Sequence, residues 1–254
     1  MDNMNDSEFQ GRAALITGGS RGIGLAIAIK LAAHGANIAI NYLSRDEEAR
    51  EAQQMVEREG ARCILVKGDV SNPESVVGMA RRTREELGPI GLLVANAGIS
   101  ILESHDQITW ESWRKTMSVN LDGVFLSVMA VKDEMLANQY GRIVCISSIA
   151  ALRPRKMQIH YASSKAALSA FTRCCAEAFA PRVRVNCIAP GLIETEMGAL
   201  IAPAAREKIV SETPLARLGK PEEIANAAYF LLSGLSDFMT GQTIAVSGGR
   251  VMHG

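Results

Sequence analysis

Arg12-Ala13-Ala14-Leu15-Ile16-Thr17-Gly18-Gly19-Ser20-Arg21-Gly22-Ile23-Gly24 sets the architecture of this chain. Arg12 to Thr17 is a short apolar run of the kind that makes a buried strand. It passes straight into a glycine turn, and the helical pattern Leu25 to His34 follows. Between a strand and a helix, glycines let backbone N–H groups approach a phosphate at the helix N-terminus. In the spacing G-x-x-x-G-x-G, Gly18 makes a tight turn, Gly22 allows close backbone approach, and Gly24 allows close helix–strand packing. Ser20, Arg21 and Ile23 stand between them and are assigned to the same turn. A plain glycine loop is the competing reading, and the position between a first strand and a helix speaks against it.

Beyond that turn, strands and helices alternate. Asn37 to Tyr42 reads as the second strand, and its continuation is Leu43-Ser44-Arg45. Where a dinucleotide's ribose 2′-OH is bound, an acidic residue usually stands near this strand's end. Here Asn41 and Tyr42 lead to Ser44 and Arg45, with no acid before Asp46. Ser44 and Arg45 suit a 2′-phosphate, and Arg21 adds a second cation. The pattern favours NADP(H) over NAD(H), although solvated arginines would look the same.

Asp46 to Gly60 reads as an amphipathic helix, and Cys63 to Lys67 as a third strand. Asp69 and Val70 follow it. Asp69 either meets the adenine or is a turn residue ahead of a helix that Ser71 or Asn72 caps before Pro73. Glu74 to Leu87 is a surface helix. Gly91 to Ala95 is a fourth strand, and the small residues of Asn96-Ala97-Gly98 would let a ligand lie against the backbone. A long helical pattern runs from about Glu111 to Asn138. Asn120 lies inside it, either as a tolerated surface amide or as a functional one. Arg142 to Ile146 and Arg182 to Ala189 are further strands, the second ending in Pro190-Gly191. Residues 192–214 make the longest interruption, polar with a short helical piece, and are a candidate lid. A helix from Pro221 to about Ser233 and a strand Thr243 to Val246 close the chain. The whole predicts an α/β fold: a Rossmann-type, doubly wound, three-layer parallel sheet forming a single domain over 11–254 after a loose tail, 1–10.

Composition narrows the function. The 254 residues carry 27 Lys+Arg and 27 Asp+Glu, so a general nucleic-acid or acidic-membrane binder is disfavoured. No apolar run is long enough to span a bilayer. The five cysteines are odd in number and form no C-x-x-C pair, which points to reduced thiols in a cytoplasmic protein. His34, His105, His160 and His253 lack ligand spacing, so no metal is expected.

The chemistry sits between Ser147 and Lys165. Tyr161 and Lys165 are four apart and share one helical face. An ammonium beside a phenol favours the phenolate and so lowers the tyrosine's pKa toward working pH. Ser148, at the strand's end, is placed to donate to the same point. Spacing alone is weak, since about 0.13 such pairs arise by chance in a chain of this composition. Position strengthens it: the glycine turn, Asp69, Asn96, Ser148 and Pro190 all follow strand ends, where ligands bind in such sheets.

Taken together these residues resemble the short-chain dehydrogenase/reductase family. The likeness spans about Gly11 to Gly249 and rests on Thr17 to Gly24, Asn96-Ala97-Gly98, Asn120, Ser148, Tyr161-x-x-x-Lys165 and Pro190-Gly191. Within the family it is greatest to the 3-oxoacyl-(acyl-carrier-protein) reductases, through Pro190 to Met197 and Met239 to Thr243. The resemblance implies that Tyr161 is the proton donor or acceptor and that Ser148 holds the substrate oxygen. It implies that Lys165 holds the nicotinamide ribose and depresses the tyrosine's pKa, and that Asn120 positions a water behind Lys165. Ile193 and Thr195 would hold the carboxamide. It further implies an NADPH-dependent ketoreductase of fatty acid biosynthesis acting on a 3-oxoacyl thioester, free or carrier-bound, in a homotetramer built through the Asn120 and Tyr161 helices. Two features depart from that pattern. The long helix ends without a basic residue before Arg142, leaving Arg182 as a docking cation. The loop Arg153-Pro154-Arg155-Lys156 is unusually basic, and is either solvated or set to meet an anionic substrate. A reductase of another small ketone or alcohol is the runner-up. A non-catalytic nucleotide sensor would have no use for the acid/base set.

Overall fold

In the computed structural model, which describes residues 8–153 and 155–252, β1 (Ala13–Ile16) is buried at every residue. β2 (Asn37–Tyr42), β3 (Cys63–Lys67), β4 (Ile90–Ala95), β5 (Gly141–Ile146), β6 (Val183–Pro190) and β7 (Thr243–Val246) complete one sheet. Their order is β3-β2-β1-β4-β5-β6-β7, and every neighbouring pair is parallel. A parallel sheet must be covered on both faces, so its strands are continuous apolar runs rather than alternating ones. β1 shows this most fully; β6 is buried at all eight residues but carries Arg184 and Asn186, whose side chains donate to the carbonyls of Leu231, Ser233 and Met239.

Helices cover the two faces. On one lie α1 (Gly22–Ala32), α2 (Asp46–Glu57) and α9 (Pro221–Leu232), which bring Ile27, Leu31, Val56, Ile224 and Leu231 onto Ile16, Ile38 and Ile40. On the other lie α3 (Pro73–Leu87), α5 (Gly123–Ala137) and α6 (Ile159–Phe179), which bring Met79, Val128, Met135 and Leu168 onto Leu15, Leu93 and Val185. Each fully buried aliphatic side chain contributes about 1.5–3 kcal/mol. The strands' C-terminal ends therefore share one edge, and the loops after them form the site. No helix among the described residues is long and apolar enough to cross a membrane.

Four local features differ from the sequence reading or sharpen it. The tail expected over 1–10 lies outside the described residues through Ser7. At its end Phe9 is fully buried, meets Tyr229 edge-on at 5.8 Å, and donates its N–H to His34 O. Residues 8–10 thus belong to the domain. The long helix is α4 (Trp110–Met117) joined to α5 through a wider π-helical turn, Ser118–Asp122. The candidate lid holds two helices rather than one piece, α7 (Glu196–Ala199) and α8 (Pro203–Ser211). Of the two candidate caps for α3, Asn72 is the one used, its Oδ1 accepting from Ser75 N at 2.9 Å.

Candidate active site

Two asparagines hold the glycine turn. Asn41, 1% exposed, accepts from Gly18 N at 3.2 Å through Oδ1 and donates through Nδ2 to Val66 O and Gly68 O. Asn96 Nδ2 donates to Thr17 O at 3.0 Å and Gly18 O at 2.9 Å. Gly18 and Gly22 adopt φ of 61° and 54°, the left-handed region that glycine enters freely. A cavity of about 840 Å³ opens over the turn. Its walls carry Gly18, Ser20, Arg21, Gly22, Ile23, Asn41, Tyr42, Ser44, Arg45, Asp69, Val70, Asn96, Ala97, Gly98 and Thr195. Gly24 lies behind it, buried in α1. Asn41's polar atoms are occupied by backbone partners, so its part is to hold the turn. Asp69 Oδ1 accepts from Ser71 N and Ser71 Oγ, which makes it a turn residue on the cavity wall.

The two arginines expected at a 2′-phosphate come together at the cavity mouth. Arg45 is the left-handed N-cap of α2, with φ 68°. Its Nη1 stands 2.9 Å from Glu48 Oε1 and 3.1 Å from Glu196 Oε2. Arg21 Nη1 pairs with the same Glu196 oxygen. Glu196 opens α7, so one carboxylate ties the lid to both cations. Sequence reasoning misses Glu196 because it stands at no local spacing from either arginine; Glu48, three residues after Arg45, is within reach of helical spacing. Tyr42 turns its hydroxyl to Asp46 Oδ1, at 2.8 Å, away from this cluster's chemistry.

A smaller cavity of about 150 Å³ adjoins the first and shares Ile23, Asn96, Gly98, Thr195 and Met197 with it. Ser148, Tyr161, Lys165, Pro190, Gly191 and Ile193 stand on its walls. Ser148 accepts from Ala150 N at 3.1 Å, leaving its O–H to donate, and it hydrogen-bonds the Tyr161 phenol. Lys165, 3% exposed, donates to Ile146 O at 2.8 Å, and Ser147 Oγ donates to Lys165 O at 2.7 Å. Ile193 bridges in parallel to Gly219, and Thr195 caps α7 by accepting from Gly198 N.

Asn120, fully buried in the π-helical turn, joins two walls. Its Oδ1 accepts from Ile99 N at 2.8 Å, and its Nδ2 donates to Ile99 O at 2.9 Å and Ser164 Oγ at 3.2 Å. Ser164 Oγ in turn donates to Tyr161 O. A widened turn of this kind is a known marker of functional sites, and its burial rules out a surface amide.

The electrostatics differ from expectation. Burial pushes the Tyr161 phenol above its ordinary pKa, and the Ser148 hydrogen bond and the Arg155 charge only partly offset it. The Lys165 ammonium is held at Ile146 O, with Nζ 6.0 Å from the tyrosine ring centre. Burial lowers Lys165 itself to about 8. Arg155, from the basic loop, is the charge that offsets part of the rise at Tyr161.

His160 carries no motif, yet it is fully buried beside Tyr161. Its Nδ1 accepts from Tyr161 N at 2.7 Å, and Nε2 faces Glu103 Oε2 at 3.2 Å. The ring thereby satisfies an N–H in the first turn of α6 that no helical carbonyl can reach. Adjacency to the tyrosine is the only signal for it in the sequence.

The chain is similar to known proteins over nearly its whole length. The family model described as "Enoyl-(Acyl carrier protein) reductase" matches residues 18–250. The chain is 36% identical over 243 residues to a 3-oxoacyl-(acyl-carrier-protein) reductase of Aquifex aeolicus, covering 95% of this chain and 98% of that protein. It is 39% identical over 241 residues to an acetoacetyl-CoA reductase of Rhizobium meliloti, covering 94% and 98%. Among solved structures, a 3-oxoacyl-(acyl-carrier protein) reductase from Brucella melitensis superposes with a TM-score of 0.92 at 34% identity, covering 98% of this chain and 95% of that one. The chain belongs to the short-chain dehydrogenase/reductase family, nicotinamide-dependent oxidoreductases acting on CH–OH and C=O groups.

Proposed function

We propose that the protein reduces the ketone of a 3-oxoacyl thioester with NADPH. The observation that carries this reading is the placement of Ser148, Tyr161 and Lys165 together on the wall of the smaller cavity, which shares Gly98 and Thr195 with the larger one. The residues fit a nicotinamide dinucleotide. A Cβ at Gly98 would approach Asn120 Oδ1 to 3.2 Å and Lys165 Nζ to 3.3 Å, so the missing side chain opens a cradle there. Gly22 similarly leaves room beneath Thr195, whose Cγ2 a Cβ would meet at 3.3 Å. When bound, the nicotinamide supplies the hydride for the carbonyl carbon.

The chain's own residues do the rest. Ser148 Oγ and the Tyr161 hydroxyl donate to the carbonyl oxygen as negative charge grows on it. Tyr161 then releases its proton to that oxygen, a contribution of about 10²–10⁴-fold. Burial holds the phenol above its ordinary pKa, so at neutral pH it carries the proton that it donates. Lys165 and Asn120 line the cradle and fix the ribose side of the site. Ile193 and Thr195 border the carboxamide position, and Asp69 and Val70 the adenine position.

The test is nicotinamide absorbance with NADPH and NADH against 3-oxoacyl thioesters of coenzyme A and of acyl carrier protein, enoyl thioesters, simple ketones and sugars. Turnover of 3-oxoacyl thioesters with NADPH is expected, and the two carriers separate carrier-bound from free substrates. Turnover confined to enoyl thioesters or to sugars would replace this reading. For the cofactor, Arg45→Ala raises the KM for NADPH about tenfold and that for NADH by less than about twofold. An equal rise for both removes Arg45 from the 2′-phosphate site.

The same reading makes the protein a cytoplasmic homotetramer. Phe125 on α5 is 48% exposed and meets Phe171 of α6 edge-on at 6.3 Å, an apolar pair with room for a second copy. Light scattering is expected to give four times the 27.3 kDa chain mass. A monomer would overturn the assembly without touching the chemistry.

A further inference from the structure

Arg155, in the smaller cavity, has neither a carboxylate nor a carbonyl partner among the described residues, whereas Lys165 there is held by Ile146 O. Arg155 lines that cavity with Ser148, Gln158 and Tyr161. Its neighbours in the basic loop, Arg153 and Lys156, are exposed, whereas Arg155 is half-buried. Among the described residues its guanidinium makes no hydrogen bond or ion pair.

The surroundings deepen the imbalance. Arg153 Nη2 and Arg250 Nη2 both pair with Glu212 Oε2, at 3.0 and 2.8 Å. One carboxylate thus serves two guanidinium groups, and the third is left over. Burial, then the charges of Arg250 and Arg153, hold the Arg155 pKa below the ordinary value. A guanidinium nevertheless stays protonated in proteins and offers five donors with no means of becoming neutral. A half-buried cation without a partner is costly, and a ligand oxygen relieves it.

Size limits that ligand. The smaller cavity, near 150 Å³, opens to the larger one, so room for about six heavy atoms, the size of one benzene, limits the reacting end of the ligand rather than the whole of it. The unit CH3–CO–CH2–CO has six heavy atoms and two oxygens on carbons one methylene apart. With the first oxygen between Ser148 and Tyr161, the second lies within the same cavity that Arg155 lines.

We propose that Arg155 is a specificity-determining residue that binds the second oxygen of a 1,3-dioxo substrate while Ser148 and Tyr161 bind the oxygen that is reduced. The assignment rests on the ketoreductase reading given above. The second oxygen is the carbonyl of a thioester or the carboxylate of a free 3-oxo acid; both present an oxygen acceptor at the same place. Two-point attachment also fixes which face of the ketone meets the hydride, and so sets the configuration of the 3-hydroxy product.

The experiment compares wild type, Arg155→Leu and Arg155→Lys on 3-oxobutanoyl-N-acetylcysteamine, free 3-oxobutanoate and a four-carbon ketone with no second oxygen. The measured quantity is the ratio of kcat/KM for each dioxo compound to that for the simple ketone. In Arg155→Leu this ratio falls roughly 10–100-fold, chiefly through KM. Arg155→Lys recovers part of it, and the enantiomeric purity of the product falls in Arg155→Leu. A larger fall for 3-oxobutanoate identifies the carboxylate as the preferred group, and a larger fall for the thioester identifies the carbonyl. An unchanged ratio, with all three compounds losing equally or none losing, overturns the assignment while leaving the ketoreductase reading intact. A wild-type protein that reduces none of the three overturns both. Matching melting temperatures for the three proteins exclude unfolding as the cause of a loss.

Discussion

Tyr161→Phe lowers kcat by about 10²–10⁴-fold, the range for removal of a general acid. Phenylalanine keeps the ring and loses only the oxygen. The ring is 9% exposed, so the packing that supports it survives. Ser148 stays in place through its bond from Ala150 N, and Lys165 stays on Ile146 O, so neither wall of the cleft depends on the hydroxyl. Nucleotide affinity is therefore retained while turnover is lost. Fluorescence titration with NADPH and single-turnover absorbance measure the two separately. Turnover within a few-fold of wild type would remove Tyr161 from the chemistry.

Gly24→Ala is expected to destabilise the protein, against what helix propensity says. Gly24 is the third residue of α1, where alanine is the better helix former by about 1 kcal/mol. Yet a Cβ there would overlap the Gly18 carbonyl oxygen and stand 2.7 Å from Asn96 Nδ2 and 3.0 Å from Gly19 Cα. None of these can give way cheaply. Gly18 is in the tight turn, and Asn96 Nδ2 is bound to Thr17 O and Gly18 O. Overpacking at such a place costs about 1–3 kcal/mol, which equals or exceeds the propensity gain. The melting temperature falls by up to about 8 °C at roughly 2–4 °C per kcal/mol. Because the displaced atoms are the phosphate-facing turn itself, NADPH affinity drops at least about tenfold as well. A melting temperature above wild type would show that the turn is looser than its contacts indicate.

The sheet is legible in the sequence because a strand buried on both faces has no choice but to be apolar throughout. Ala13–Ile16 and Ile90–Ala95 could hardly be anything else, and their ends fall within a residue or two of where the apolar runs stop. The glycine turn is legible for the opposite reason, since only glycine serves where backbone crosses backbone. What escapes is whatever depends on segments distant in the chain. Nothing local marks Phe9 as buried; its place is made by Tyr229 and His34. The two helices of the lid carry weak apolar patterns, and α7 buries no residue. The π-helical turn around Asn120 leaves no trace in spacing. The acid/base pair is identified by its residues, but spacing misleads about its electrostatics. It puts Lys165 beside Tyr161 without showing that a backbone carbonyl, Ile146 O, holds the ammonium. Arg155, six residues ahead of the tyrosine, adds a charge across a loop, which no helical spacing encodes.

Asn120 grips Ile99 with both ends of its amide and reaches Ser164 from the same group. The segment after β4 and the helix bearing the tyrosine are thus kept apart by the length of one side chain. Most clefts in proteins are what packing happens to leave over, and their clearance drifts as side chains exchange rotamers. Here the clearance is gauged by one amide side chain and the three hydrogen bonds that it makes across the gap. A change of a single methylene at position 120 is in this sense a change in the calibre of the cleft, made from within a helix that never touches the substrate cavity.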